Sequence, residues 1–288
     1  MSRFSKLFVL LLLSANALLL TACSGGEAQI ITTQEQIADG EWQCFRKDFF
    51  LLSGEQASLK IAADTKYWLW VNGELVVREG GLKRGPNPTD SYCDIFDQVP
   101  NLKFGRNTVA ILVQYYGKNS FSHAPSAVPG VWFELDTRFG KVVSDSSWKA
   151  VRYDAMWAPA DENPKGPRQY RLAGANVGYD ARKALDFSRE IDAEKWAEAV
   201  VVAREKSDWG GFVDRPIPFF RWSELLDYEK QEWQGRELVC KLPYNAHVTP
   251  YIKVRAEAGK TIRIITDDYW IGKARSFYTD YVTCDGEQ

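Results

Sequence analysis

From Trp42 onward the chain runs in short apolar stretches broken by clusters of Gly, Pro, Asn and Asp. The stretches "CFRKDFFLL", "ASLKIAA", "KYWLWV", "ELVV", "NTVAILVQYY" and "GVWFELD" are four to ten residues long, the lengths and spacing of strands in an antiparallel sandwich. Asn72-Gly73, between the third and fourth, is a tight hairpin signal. Side chains alternate along a strand, so Tyr67, Leu69 and Val71 face one way and Trp68 and Trp70 the other. A hairpin with one solvated face would carry polar residues at alternate positions. This one is therefore covered on both sides or presents its second aromatic face to a ligand. Nearly every position of "TVAILVQYY" is apolar, the mark of a strand covered on both faces, and this favours burial of Trp68 and Trp70 over ligand stacking.

Two connections, residues 80–94 and 116–130, exceed ordinary hairpin lengths and are candidate functional loops. Residues 154–180 are irregular. In "DAEKWAEAVVVA", Trp196, Ala199, Val200 and Ala203 fit one helical face behind Asp192 as N-cap, which predicts a short helix. "RPIPFF", from Arg215, carries two prolines and reads as an extended linker. "VTPYIKVRA", "TIRIITDDYW" and "FYTDYVTC" are predicted strands. The final "TCDGEQ" places the turn signal Asp285-Gly286 after a strand with no returning strand in view, which predicts an incomplete sheet and a chain that is part of something longer.

The amino terminus differs in kind. Arg3 and Lys6 precede an apolar run from Leu7 to Leu20, which ends in "LTAC" at Cys23. This is the layout of a secretory signal peptide over residues 1–22. Its apolar core is shorter than the roughly 18 residues of a spanning helix. "LTAC" resembles a bacterial lipobox, which implies a lipidated Cys23 as first residue of an exported, membrane-anchored protein; Ser24 implies, by the same resemblance, the outer membrane. Residues 23–40 then form a tether.

The 36 basic and 38 acidic residues give no electrostatic reason to invoke nucleic acid. Aromatic residues make up 14% of the chain, a composition that suits both a β-sandwich core and stacking on sugars. Beyond Cys23 four scattered cysteines, without a C-x-x-C pair, argue against a cysteine-bound zinc, and no disulfide is assigned. With only His123 and His247, a histidine metal site or triad has little material. Asp90, Asp94 and Asp97 are close enough to hold a hard cation but read more simply as acids of a solvated loop. No cofactor or metal is expected.

The ordered series "EWQCFRKDF", "KYWLWVNGELVV", "GLKRGPNPTDSYCDIFD", "FGRNTVAILVQYYGKNSFSH", then "YDARK" at Tyr179 and "WAEA", resembles the amino-terminal β-sandwich of bacterial α-L-rhamnosidases. "LPYNAHVTPYIKVRAEAGKTIRIITDDYW" with "YVTCDGEQ" resembles the β domain that follows it. The resemblance implies an all-β chain: a jelly-roll-like antiparallel sandwich over residues 41–206, then a linker and a truncated second β domain over 207–288. It also implies a secreted glycoside hydrolase acting on rhamnose-containing glycans, whose two carboxylates lie in a separate barrel after the β domains. No residue of this chain inherits a catalytic role, and the chain alone is expected to be inactive. Carbohydrate contacts are expected from the long loops, through Tyr92, Asp94, Tyr116 and His123. The alternative is a free-standing carbohydrate-binding or adhesion lipoprotein on the same fold.

Overall fold

A computed structural model describes residues 26–34, 36–52, 57–81, 90–117, 126, 128–159, 176–189, 196–203, 209–246, 248–265, 270–271, 274–275 and 278–288. The signal peptide with Cys23, the tips of both long loops with His123, and His247 lie outside these residues.

The first strands are β1 (Ile31–Thr32), β2 (Trp42–Leu51), β3 (Ser58–Asp64), β4 (Lys66–Val71), β5 (Glu74–Gly80), β6 (Ser91–Phe96), β7 (Gly105–Gln114), β8 (Gly130–Thr137), β9 (Gly140–Val143) and β10 (Lys149–Arg152). They are followed by β11 (Met156–Trp157), β12 (Val177–Asp180), β13 (Ala197–Glu198), β14 (Val200–Val201) and β15 (Phe212–Asp214). Two sheets result. One has the order β14-β1-β8-β3-β6-β15 with β9 beside β8; the other has the order β13-β10-β2-β7-β4-β5. All pairings in both are antiparallel except β15 with β6, which is parallel. This is the predicted sandwich in kind, but its first sheet also takes in β1 from the stretch read as a tether and β15 from the stretch read as a linker.

Period-2 alternation sets the core between the sheets. Tyr67, Leu69 and Val71 of β4, Val109, Ile111 and Val113 of β7, and Ile61 and Phe133 from the facing sheet form one buried cluster closed by Trp148. The opposite face of the second sheet is covered as well. Ala110 and Leu112 of β7 join Trp42, Cys44, Tyr153, Phe187 and Trp196 in a second cluster, against which Trp68 and Trp70 pack. Trp68 lies 5.3 Å from Trp42 and Trp70 lies 5.1 Å edge-on to Phe187, centroid to centroid. The aromatic hairpin is thus a middle layer. At its turn Asn72 and Gly73 have φ of 53° and 84°, the positive values a primed two-residue turn needs. The Asn72 side chain pins that turn, donating to the Asn101 carbonyl at 2.6 Å and accepting from Thr108 N at 2.9 Å.

Over its described residues, 196–203, the helix predicted behind Asp192 is not formed and the backbone is extended; Asp192 itself lies outside the described residues. Ala197–Glu198 pair antiparallel with β10 and Val200–Val201 with β1, with Ala199 N bonded to the Trp148 carbonyl at 2.8 Å between them. Trp196 enters the second cluster and Ala199 the first, so this segment crosses from one sheet to the other. Three consecutive valines, stiff at χ1, favour that extended backbone.

The remaining strands are β16 (Lys230–Gln234), β17 (Glu237–Lys241), β18 (Arg255–Ala256), β19 (Thr261–Ile265), β20 (Trp270–Ile271), β21 (Ala274–Arg275), β22 (Tyr278–Val282) and β23 (Gly286–Glu287). β22 is flanked on both sides, by β19 and, in parallel, by β12. The expectation of a missing return strand is therefore corrected. Residues after Asp285 do pair, but with β18 rather than back along β22, and Val254 and Gln288 exchange both backbone bonds at 2.9 Å. Of "VTPYIKVRA" only Arg255–Ala256 form a ladder. The "RPIPFF" stretch lies against the sandwich: Phe219 stacks on Phe96 at 5.3 Å, and nearby Trp222 sits 4.3 Å beneath the Arg78 guanidinium.

Candidate functional site: the loop end of the sandwich

The roots of the two long loops meet at one end of the second sheet. Lys66 at the start of β4 pairs with Gln114 at the end of β7. The next residue but one, Tyr116, donates its backbone N–H to Thr65 Oγ1 at 3.1 Å. On the other side of Lys66, its ammonium lies 3.6 Å from the Glu79 carboxylate, just before the first loop leaves β5. Gly81 makes this convergence possible: its φ is 89°, and a Cβ there would stand 2.7 Å from the Thr65 carbonyl oxygen.

Two buried carboxylates fix the roots. Asp94 is 1% exposed; it accepts from the Tyr67 hydroxyl at 2.7 Å and from Gly81 N at 2.9 Å, and Arg215 Nη1 donates to it at 3.4 Å. Arg215 in turn spends its Nε on the Ile217 carbonyl at 2.7 Å and lies over the Phe219 ring. Asp64, fully buried, accepts from Ser126 N at 2.6 Å, from the Ser126 hydroxyl and, at 3.1 Å, from Thr65 Oγ1. A buried charge is tolerated when its lone pairs are met in this way.

Burial, helped by the negative charge of Asp94, raises the Tyr67 phenol well above its ordinary range, so it stays a proton donor. Burial also raises Tyr116, an effect opposed by Lys66. Its neutral hydroxyl therefore stands beside an ammonium and a carboxylate. Such a trio offers donors and acceptors of the kind sugar hydroxyls satisfy.

Of the residues predicted from sequence, Tyr116 and Asp94 are brought to this end. Tyr92 lies half-buried on β6 opposite Val213. Asp94 does not face an open loop; its oxygens are taken up inside the protein, and its contribution is to hold Gly81 and Arg215. Lys66, Glu79 and Arg215 are not among the residues predicted from sequence. Lys66 and Glu79 carried a signal, as opposite charges closing the two ends of one aromatic hairpin. Arg215 carried none. Glycoside hydrolysis needs two carboxylates set across the scissile bond. Among the described residues of the loop end, Asp64 and Asp94 are saturated by internal donors, and no described group of three His, Cys, Asp or Glu side chains is placed to hold a metal.

No protein-family model matches the chain, and no curated protein does. Solved structures do. A family GH78 rhamnosidase of Bacillus sp. GL1 is 27% identical with a TM-score of 0.55, over 68% of this chain and 20% of that one. The α-L-rhamnosidase of Aspergillus terreus is 17% identical with a TM-score of 0.66, over 94% of this chain and 33% of that one. The Streptomyces avermitilis α-L-rhamnosidase, solved with L-rhamnose, is 19% identical with a TM-score of 0.57, over 87% and 25%. This chain thus has a rhamnosidase-like fold and spans between a fifth and a third of the length of those proteins.

Proposed function

We propose that the chain is the amino-terminal, non-catalytic β part of an α-L-rhamnosidase-like glycoside hydrolase acting on rhamnose-containing glycans. On this reading the protein is exported and held at the membrane through a lipidated Cys23, and its loop end makes weak contact with the sugar. The fold shared with part of several α-L-rhamnosidases supports it.

The observation that carries it is an apolar surface. Trp233 and Leu225 are each 70% exposed, and Phe220, Leu226, Tyr244 and Tyr251 are exposed nearby in sequence. Among the described residues β16 and β17 pair only with each other, and cross-strand neighbours Trp233 and Leu238 both face solvent. Isolated two-stranded hairpins are marginal in water, and single-chain proteins rarely leave so much apolar surface bare. A further body of protein, the catalytic part in this proposal, covers that surface.

At the loop end, Tyr116, Lys66 and Glu79 supply hydrogen bonds to one sugar ring. A shallow site of this size gives millimolar affinity, about 4 kcal/mol. The test is a nitrogen-15 NMR titration with methyl α-L-rhamnoside. Shifts should concentrate at Lys66, Glu79 and Tyr116; an unchanged spectrum at high millimolar glycoside would refute the binding role.

A further inference from the structure

The outer face of the first sheet, away from the loop-end trio, carries a second aromatic feature. Trp132 on β8 and Phe212 on β15 point out of the sheet, with ring centroids 4.6 Å apart and planes tilted by 45°. Trp132 is half-buried and Phe212 is 41% exposed, so part of each ring faces solvent. Between their strands, Ala62 and Cys93 also point outward yet are 1% and 3% exposed, and neither belongs to a core cluster. Ala62 is the cross-strand neighbour of Trp132. Small side chains at these positions let the rings lie low across the sheet.

The rings are held in place. Trp132 Nε1 donates to the Ala28 carbonyl at 2.9 Å. Trp209 backs Phe212 edge-on at 6.4 Å and donates its own Nε1 to the Val128 carbonyl at 2.8 Å. Around them the outer face carries charges beside one exposed aliphatic: Lys60 stands opposite Glu134 on one side and Ile95 on the other, Asp214 stands opposite Cys93, and Lys141 bonds Glu134 at 3.0 Å.

We propose that Trp132 and Phe212 form the stacking floor of a saccharide subsite, with Lys60, Glu134 and Asp214 as its hydrogen-bonding rim. An apolar island in a charged field matches a pyranose, which has CH-rich faces and a hydroxyl rim, better than it matches an apolar peptide, which would need a wider dry surface. Trp132, fixed by its indole N–H, and Phe212, backed by the Trp209 ring, lose little conformational freedom on binding. This subsite rests on the carbohydrate reading given above and extends it: the chain offers a glycan a second place of contact besides the loop end.

Calorimetry of the purified chain with methyl α-L-rhamnoside and with a rhamnose disaccharide tests it. Phe212→Ala, and Trp132→Ala where it retains its melting temperature, should weaken disaccharide binding about tenfold, the effect of removing one ring from beneath the sugar. Glu134→Gln, a change at a partly exposed ion pair, should leave the fold intact and weaken binding several-fold. Unchanged disaccharide affinity in folded Phe212→Ala and Glu134→Gln would overturn the ledge. If Lys66→Ala then abolished binding, the loop-end reading would stand alone. Absence of heat from either sugar with the wild-type chain would overturn both.

Discussion

The hydroxyl of Tyr67, on the aromatic hairpin, donates to the carboxylate of Asp94 at 2.7 Å inside the sandwich, and the same carboxylate is reached by Arg215 from the segment beyond it. One buried charge thus ties the middle sheet, the root of the first long loop and the chain that follows.

Asp94→Ala should cost about 3 to 5 kcal/mol in urea unfolding, because it leaves Arg215 and the Tyr67 hydroxyl unpaired in the interior. A carboxylate serving only as a surface sugar contact would cost under about 0.5 kcal/mol.

Trp70→Ala should cost about 2 to 3 kcal/mol, since it empties the edge-on contact with Phe187 in the second cluster. It should leave glycoside affinity unchanged. Loss of sugar binding without loss of stability would reassign Trp70 to a ligand.

Several groups have folded-state pKa values above their ordinary ones: the Cys93 thiol and the Tyr115 phenol are each pushed up to about 12 by burial and then by nearby carboxylates, and burial also raises the Cys44 thiol and the Tyr67 phenol well above their ordinary ranges. The folded protein therefore holds protons that the unfolded chain releases. Stability from these groups is complete below about pH 8 and declines as pH rises from about 9 toward 12. The melting temperature should fall steadily over that interval. A flat profile would contradict the burial of these groups.

Trp233→Ser together with Leu238→Ser should change the stability of the chain by less than about 0.5 kcal/mol, because both side chains face solvent. The pair should also lower self-association in sedimentation at high concentration. A loss of several kcal/mol would mean that the hairpin packs within this chain.

Much of the sandwich was legible because it rests on local period-2 patterning. The two-sided hairpin and the continuous apolar run of β7 both predicted a covered middle sheet. Non-local pairing was not legible. Trp196, Ala199 and Ala203 have helical spacing, but Ala199 N is bonded to the Trp148 carbonyl and Val202 N to the Ile30 carbonyl, both far away in sequence. Asp285-Gly286 is a true turn signal, yet its strand pairs with Arg255–Ala256. Tyr116 could be picked as a loop-root aromatic. The interior role of Asp94 could not, since its partners lie 27 residues before it and 121 after it.

On the proposed function this β chain touches rhamnose without cleaving it. Proton NMR of the purified chain mixed with an aryl α-L-rhamnoside reads both properties in one sample. Saturation transfer from protein to glycoside and no free rhamnose over many hours are the expected result. Released rhamnose whose appearance is abolished by changing one acidic residue of this chain, or no saturation transfer at all, would contradict it.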